Sequence, residues 1–595
     1  MGSSFVGPFC EALESRQLLS SADLALSFVS ITGPDVLVPG DKGSVKVLIT
    51  NVGPDTAVGT IDVSVRASTD TIFDLSDPLL TGLADKKINL AIGKTLALTL
   101  TMTALPDTVT PGNYYLVCKE SSALSSPDTN PGNDADRSSG TSQVAWQFGA
   151  VGSRKNVKMT LHDGATPVVF ALSGLGTGAV TSAGAFSTDT LTVTGSTGAS
   201  KLTITTAKNA YTTLDSIQVL DDAGAGTGSL GSIKAARTNL ETGVSVDGLL
   251  GSLTVHDIQS YSHYIRINTT AMAVPDKAAV SIVANVINGC YVNTGEMPVK
   301  SFKAANVTGI DLTAPWIGTF AVSSKVVGQG NLSGTFSLLS EPASNLNLSK
   351  LTVSGNMDGT TIQTETNIGS IQAGQWASGK LSTAEIKSFK IAGDLGAEVG
   401  AIVIHSAAIG GDLSGDWGTG WVGKVTVGGD MTGVKWLLGS QVDGGLDWNQ
   451  LESLTVKGWI DSSEFHCFNP IGSITAGGIR DSSLMMGVTG TTLPTAAGEF
   501  DSHHSTRFKS VTVKGIKDGT GQYVESFINS NIAAWQIDAL SFGYVATANA
   551  TPFGIASHSI GKFTYKHFSG MSSTDSNMTD PAGSFAIGDM QVTIV

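Results

Sequence analysis

The apolar positions of this chain keep returning to one short phrase: apolar–x–x–apolar–polar–apolar, usually with a glycine close behind. It is clearest between Leu348 and Gly396, where it reads Leu348-Ser-Lys-Leu351-Thr-Val353-Ser-Gly355, Ile368-Gly-Ser-Ile371-Gln-Ala373-Gly374 and Ile386-Lys-Ser-Phe389-Lys-Ile391-Ala-Gly393. The fourth and sixth positions share parity, so on a strand they point to one face, while the first lies across a Ser/Gly/Lys corner. These copies start 20 and 18 residues apart, the length of one coil of a stacked β structure. A strand this short cannot bury its apolar face alone, but stacked copies make one continuous core.

The phrase begins again at Leu214, Leu230, Leu250, Val299, Ile317, Leu348, Ile368, Ile386, Val422, Leu451, Ile471, Phe508, Ile537 and Ile560. Gaps of 16–20 residues read as single coils, 29 or 31 as a coil with a loop, and 36 or 37 as two coils with one phrase eroded. Asp257–Pro298 and Gly487–Arg507 read as loop insertions. Residues 214–595 are therefore predicted to form a right-handed parallel β-helix. Residues 22–148 alternate apolar and polar positions between turn residues, the mark of a β-sandwich. Strands are expected at Asp35–Val38, Gly43–Asn51, Gly59–Ala67, Lys94–Ala104, Gly112–Lys119 and Ser142–Phe148. Residues 149–213 read as a transitional β region or a cap, since an uncovered end of the stack would present unpaired strand edges. The expected fold class is all-β.

Composition narrows the function classes. Only 14% of the 595 residues are charged while 71 are glycine, which suits short strands and tight turns. A formal net charge of −15 argues against non-specific nucleic-acid binding, which needs clustered Lys and Arg. The four cysteines show no CxxC spacing, so neither a structural zinc site nor a dense disulfide framework is expected. No apolar run approaches the roughly 18 residues of a transmembrane helix.

Two stretches resemble known families. Leu13-Glu14-Ser15-Arg16-Gln17-Leu18-Leu19 resembles the LEPR-XLL leader of large exported proteins from planctomycete-type bacteria, with Ser15 where that family usually has proline. Residues 1–21 are accordingly expected to be a sorting segment. Val47-Leu-Ile-Thr-Asn51-Val-Gly53-Pro-Asp-Thr-Ala57, Val63-Ser-Val-Arg-Ala-Ser68-Thr-Asp70, Tyr114-Tyr-Leu-Val and Asn130-Pro-Gly-Asn133 resemble a CARDB-type immunoglobulin-like domain. That resemblance implies a non-catalytic adhesion or interaction module on a bacterial surface protein.

Two loops of this module carry oxygen donors of the kind calcium takes: Asp70, Asp74 and Asp77 in one, Asp128, Asn130, Asn133, Asp134 and Asp136 in the other. Asp and Asn are equally the residues that build solvated turns. Calcium is the one cofactor suggested. Five of the nine tryptophans, Trp417, Trp421, Trp436, Trp448 and Trp459, fall within 43 residues and make a candidate sugar-stacking patch; packing under corners is the other reading. A polysaccharide lyase or glycoside hydrolase would need convergent carboxylates. Asp394, Asp412 and Asp430 each sit in the same Gly-Asp-(Leu/Met) corner of a repeat, with Asp416 nearby, and repetition at equivalent corners is what a structural role predicts. His503-His504 and Glu464-Phe-His466-Cys467 lack the partners that metal binding or nucleophilic catalysis requires. No catalytic residue is assigned. The expectation is an extracellular or cell-surface bacterial protein of structural or adhesive function, contacting glycan or another surface protein. A carbohydrate-active enzyme and a self-assembling coat or filament subunit are the alternatives.

Overall fold

The computed structural model describes residues 21–181, 186–221, 228–269, 273–338, 345–439, 449–488, 490, 492–500, 506–566, 572–580 and 583–595. Among them the protein is all-β: the helical elements are two single 3₁₀ turns, Phe186–Thr188 and Ala497–Glu499. No helix of the described residues is long and apolar enough to cross a membrane. The leader-like residues 1–20, Trp448 and His503-His504 lie outside the described residues. The chain divides into two compact units, one of residues 1–172 and 177–180, the other of residues 173–176 and 181–595.

In the first unit, Leu24–Thr32, Gly43–Asn51 and Thr95–Met102 form an antiparallel sheet. A second sheet runs Val36–Leu37, Ser142–Val144, Gly112–Leu124, Ala57–Ser68, Leu79–Leu90, with Ala135–Arg137 also paired to Gly112–Leu124. Alternation decides which side chains go inside. Val45, Val47 and Ile49 from the first sheet and Ile61, Val63, Val65, Leu116 and Cys118 from the second share one buried cluster. The Asn-x-Gly turn has a physical role. Fully buried Asn51 donates its side-chain amide to the carbonyls of Asp55 and Leu90, and its side-chain oxygen accepts from Gly53 N–H. A Cβ on Gly53 would stand 2.4 Å from the Asp23 nitrogen, so only glycine fits there. The strands Gln147–Val151, Arg154–Asp163 and Thr166–Ser173 continue in antiparallel pairing.

The second unit is built from parallel pairing. It is already present where Thr190–Thr194 meets Thr212–Leu220 and Lys201–Thr206 meets Ser232–Ala235. Along most of the unit a strand then pairs in parallel with its equivalent one repeat further on, and identical phrase positions fall opposite one another. Leu351 pairs with Ile371, Ile371 with Phe389, Phe389 with Ala407, and Ala407 with Val425. The column continues through Leu454, Ile474, Val511, Leu540 and Phe563. Leu351, Ile371 and Phe389 are all buried. A second column stacks Ile362, Leu381, Val399, Trp417, Trp436 and Phe465. A third links Met357, Trp376, Leu395, Leu413, Met431 and Ile460. Three inward columns of apolar side chains supply the burial that no single strand could. The last long strand, Phe553–Lys566, pairs in parallel with Met590–Ile594 and antiparallel with the polar strand Ser572–Met578.

Three expectations about this region are corrected. Asp257–Pro298 is not an inserted loop: Asp257–Ile267, Val280–Val283 and Val286–Asn293 are strands in the parallel ladders. The 37-residue gap before Phe508 is one coil with an insertion, because Ile471 pairs directly with Phe508. The phrase at Leu214 belongs to a different column from its neighbours, pairing with Leu240, whereas Leu230 bridges Leu250.

Candidate metal centre

Strand Gly112–Leu124 turns Tyr114, Leu116 and Cys118 inward, and the same parity carries Glu120 to the inner face. A carboxylate thus occupies a position where the alternation calls for an apolar side chain. Glu120 is 1% exposed, and neither of its carboxylate oxygens has a hydrogen-bond partner. The chain returns over it through the turn-rich segment 125–137. Glu120 N–H donates to the Asp134 carbonyl at 2.9 Å, and Lys119 and Cys118 pair with Ala135 and Asp136. One ligand oxygen from each of Glu120, Asp128 and Asp134 lies within 4.8 Å of the others. Asp134 Oδ1 and Asn133 Oδ1 are likewise buried and without a partner.

This segment also holds the first strand. Asp128 Oδ2 accepts from Leu24 N–H at 2.9 Å, the Asn133 carbonyl accepts from Leu26 N–H at 2.9 Å, and the Asn133 side-chain amide donates to Asp23 Oδ1 at 2.8 Å. Asp136 Oδ2 accepts from Phe28 N–H at 2.8 Å. Asn130 acts through its backbone, donating N–H to Asp128 Oδ1 at 3.0 Å.

The electrostatics follow from crowding three carboxylates where water is scarce. Burial, with Asp134 and Asp128 adding to it, pushes the Glu120 carboxyl up to about 8. Asp134 is also raised, by burial first and then by Asp128, against an opposing pull from Lys119. The donor set is all oxygen, the preference of calcium or magnesium rather than of zinc or copper.

The other acidic loop does not converge in this way. Asp70 Oδ1 accepts from Ile72 N–H at 2.7 Å, Asp74 Oδ1 from Ser76 N–H at 2.8 Å, and Asp77 Oδ2 from Asp74 N–H at 3.3 Å. Each carboxylate holds its own turn. The Ser76 backbone N–H keeps Asp74 below the ordinary carboxylate range.

The tryptophans do not form one surface patch. Trp417 and Trp436 are buried, their ring centroids 4.8 Å apart, and Trp436 Nε1 donates to Thr419 Oγ1 at 2.9 Å. This corrects the sugar-stacking reading for both, since the core covers their faces. Trp421 is half-buried and donates to the Asn449 carbonyl at 3.0 Å. Trp459 lies against Gly478 with the Arg480 guanidinium 5.0 Å from its ring centroid.

Asp394, Asp412 and Asp430 do stack, but along a backbone ladder. Asp394 Oδ1 accepts from Asp412 N–H at 2.9 Å, Asp412 Oδ1 from Asp430 N–H at 2.8 Å, and Asp430 Oδ1 from Trp459 N–H at 2.7 Å. Asp416 similarly accepts from Lys435 N–H at 2.8 Å. Cys467 is buried, its thiol pushed up to about 12 by burial, and His466 beside it has the opposite strand parity. The two form no nucleophile–base couple.

By its strands and sheets this is an all-β protein whose larger unit rests on one extended, parallel-paired sheet. No family model matches the chain and no curated protein matches it. A CARDB domain from Pyrococcus furiosus, solved in complex with di-metal ions, is 18% identical to it, covering 21% of this chain and 94% of its own, with a TM-score of 0.15. The sporulation control protein Spo0M from Bacillus subtilis is 10% identical, covering 25% of this chain and 78% of its own, also with a TM-score of 0.15.

Proposed function

We propose that this chain is a non-catalytic structural or adhesive protein of the bacterial exterior, in which an immunoglobulin-like sandwich of CARDB type accompanies a right-handed parallel β-helix. The reading rests on where the acids of the larger unit go. The repeated Asp394, Asp412 and Asp430 each have one carboxylate oxygen on the backbone N–H one coil on, a use that holds coils together. A lateral groove of 660 Å³ crosses five successive coils and is lined by Glu365, Ser382, Thr383, Thr419, Ile402 and Leu437 among others. Among the described residues Glu365 is the one carboxylate of its lining, whereas acid–base cleavage of a glycosidic bond uses two. The hydroxyl of exposed Ser382, beside the exposed Ile402 and Leu437, suits contact with a neutral glycan or another protein surface.

The test is a glycan array on the purified full chain, followed by incubation of any bound polysaccharide with assays for reducing ends and for unsaturated uronides. Binding without release of product supports the reading. Turnover of a bound glycan, lost in a Glu365→Gln variant, would replace it with the enzyme alternative.

A further inference from the structure

We infer that Glu120, Asp128 and Asp134, with the side-chain oxygen of Asn133, form a calcium site that fastens segment 125–137 and the first strand Leu24–Thr32 to the second sheet. This goes beyond the adhesive reading and does not depend on it. Acidic clusters are common on protein surfaces, and the proximity of three carboxylates would carry little alone. The deciding observation is Glu120. A carboxylate 1% exposed, with both oxygens lacking any donor, is among the costlier arrangements a core can hold. Proteins keep such a group where a counter-charge meets it.

The neighbours of Glu120 determine what that counter-charge is. Neither oxygen of Glu120 accepts from any N–H or O–H of the protein. Lys119, next along the strand, has the opposite parity and is exposed. What Glu120, Asp128 and Asp134 do share is a gap: one oxygen of each lies within 4.8 Å of the others, and two oxygens bonded to a common calcium at about 2.4 Å can stand no further apart than that. Half-buried Asp128 and Asp134 leave a path from solvent. Calcium is favoured over magnesium because the donors come from an Asp- and Asn-rich turn, and calcium tolerates irregular coordination completed by water or carbonyls.

The ion would act on structure. Asp128 already accepts from Leu24 N–H and Asn133 from Leu26 N–H, so ordering the segment also orders the first strand. The first unit should therefore be held together more firmly with calcium than without it.

The test uses the full chain stripped with a chelator. Isothermal titration with CaCl₂ should show about one ion bound per chain, and 1 mM calcium should raise the melting temperature of the first unit by about 5 °C. Magnesium should do so less well. Glu120→Gln and Asp134→Asn should each weaken calcium binding at least about tenfold, while Asp74→Asn, in the other acidic loop, should leave it unchanged. Hydrogen exchange of the unmutated chain provides a readout independent of any variant: calcium should slow exchange at Leu24, Leu26 and Glu120. Absence of calcium heat and of protection up to 10 mM calcium, or calcium binding undiminished in Glu120→Gln, would overturn the proposal.

Discussion

Two sets of three carboxylates are brought together by strands in this molecule, and they differ in what their oxygens touch. In the larger unit, Asp394, Asp412 and Asp430 recur at 18-residue spacing, and each accepts an N–H from the coil above. In the first unit, Glu120, Asp128 and Asp134 come from a strand and the segment that folds back over it. The most deeply buried of them accepts nothing. The lesson concerns repetition. An acid that recurs with the fold's period serves the fold, whereas one that interrupts an apolar alternation needs a further reason to be there. The two sets should respond to perturbation with opposite signs.

The largest effect is expected where the ladder leaves no space. A Cβ on Gly428 would stand 2.1 Å from the Gly410 carbonyl oxygen, and one on Gly429 would stand 1.9 Å from Asp412 Oδ1. Gly428→Ala must push two coils apart and is expected to cost about 3 kcal/mol. Urea unfolding of the larger unit, with hydrogen exchange around residues 410–432 as a local readout, measures it. A cost under about 0.5 kcal/mol would show that the coils are not as tightly apposed as these contacts require.

The second effect has the reverse sign. In chelated protein, replacing Glu120 by Leu removes a buried, unpartnered carboxylate and should stabilise the first unit by about 2 kcal/mol. In saturating calcium the order should invert, because the wild type gains the ion and the variant cannot. A variant less stable than wild type in both conditions would mean that Glu120 is satisfied within the protein, and the contrast between the two sets would collapse.

Much of the parallel pairing was legible because its rule is local. The phrases at Leu348, Ile368 and Ile386 lie in the predicted register, and the coil inferred inside the 36-residue gap is present, with Ile404 pairing to Ile386 and Val422. Its phrase was eroded because Ala407 stands where larger neighbours have Phe389 and Val425. The 37-residue gap misleads because an insertion and an eroded coil both read as polar stretches of equal length. Leu214 misleads because apolar–x–x–apolar spacing serves more than one side of a coil. In the acidic centre, Asp128 and Asp134 were visible as a donor-rich turn. Glu120 was not, since it lies on the preceding strand, and only the parity of Tyr114, Leu116 and Cys118 points to it. Asp70, Asp74 and Asp77 looked equivalent by composition; the difference lies in the buried Glu120, with which Asp128 and Asp134 converge among the described residues.

A third measurement sharpens the contrast inside the repeat unit itself. His263 is buried, with neither ring nitrogen hydrogen-bonded, and lies opposite Cys290 of the next coil. Burial lowers its proton affinity, against a smaller pull upward from Glu241. The folded chain therefore binds fewer protons than the unfolded one below the ordinary value of 6.5, so stability falls as pH drops through that value. The slope can reach about 1.4 kcal/mol per pH unit for one such proton. A His263→Gln variant should lose this part of the acid sensitivity between pH 7 and pH 5. Identical acid profiles would show that His263 finds a partner when charged, and that this exception to the repeat is not a strained one.

The smallest effect tests the ladder most directly. Asp412 is exposed, so losing its bond to the Asp430 N–H should cost only about 0.5 kcal/mol in Asp412→Ala. Hydrogen exchange at the Asp430 amide should nevertheless quicken clearly. Asp412→Asn keeps an oxygen in the accepting position and removes one of three like charges on successive coils, so it should match wild type or slightly exceed it. If the ladder needs only acceptors, asparagine substitutes for aspartate there while Glu120→Gln weakens calcium binding at least about tenfold. If Asp412→Asn instead behaves like Asp412→Ala, charge matters at the corners too. Those three aspartates would then have to be read as a second acidic site rather than as the fold's own fastening.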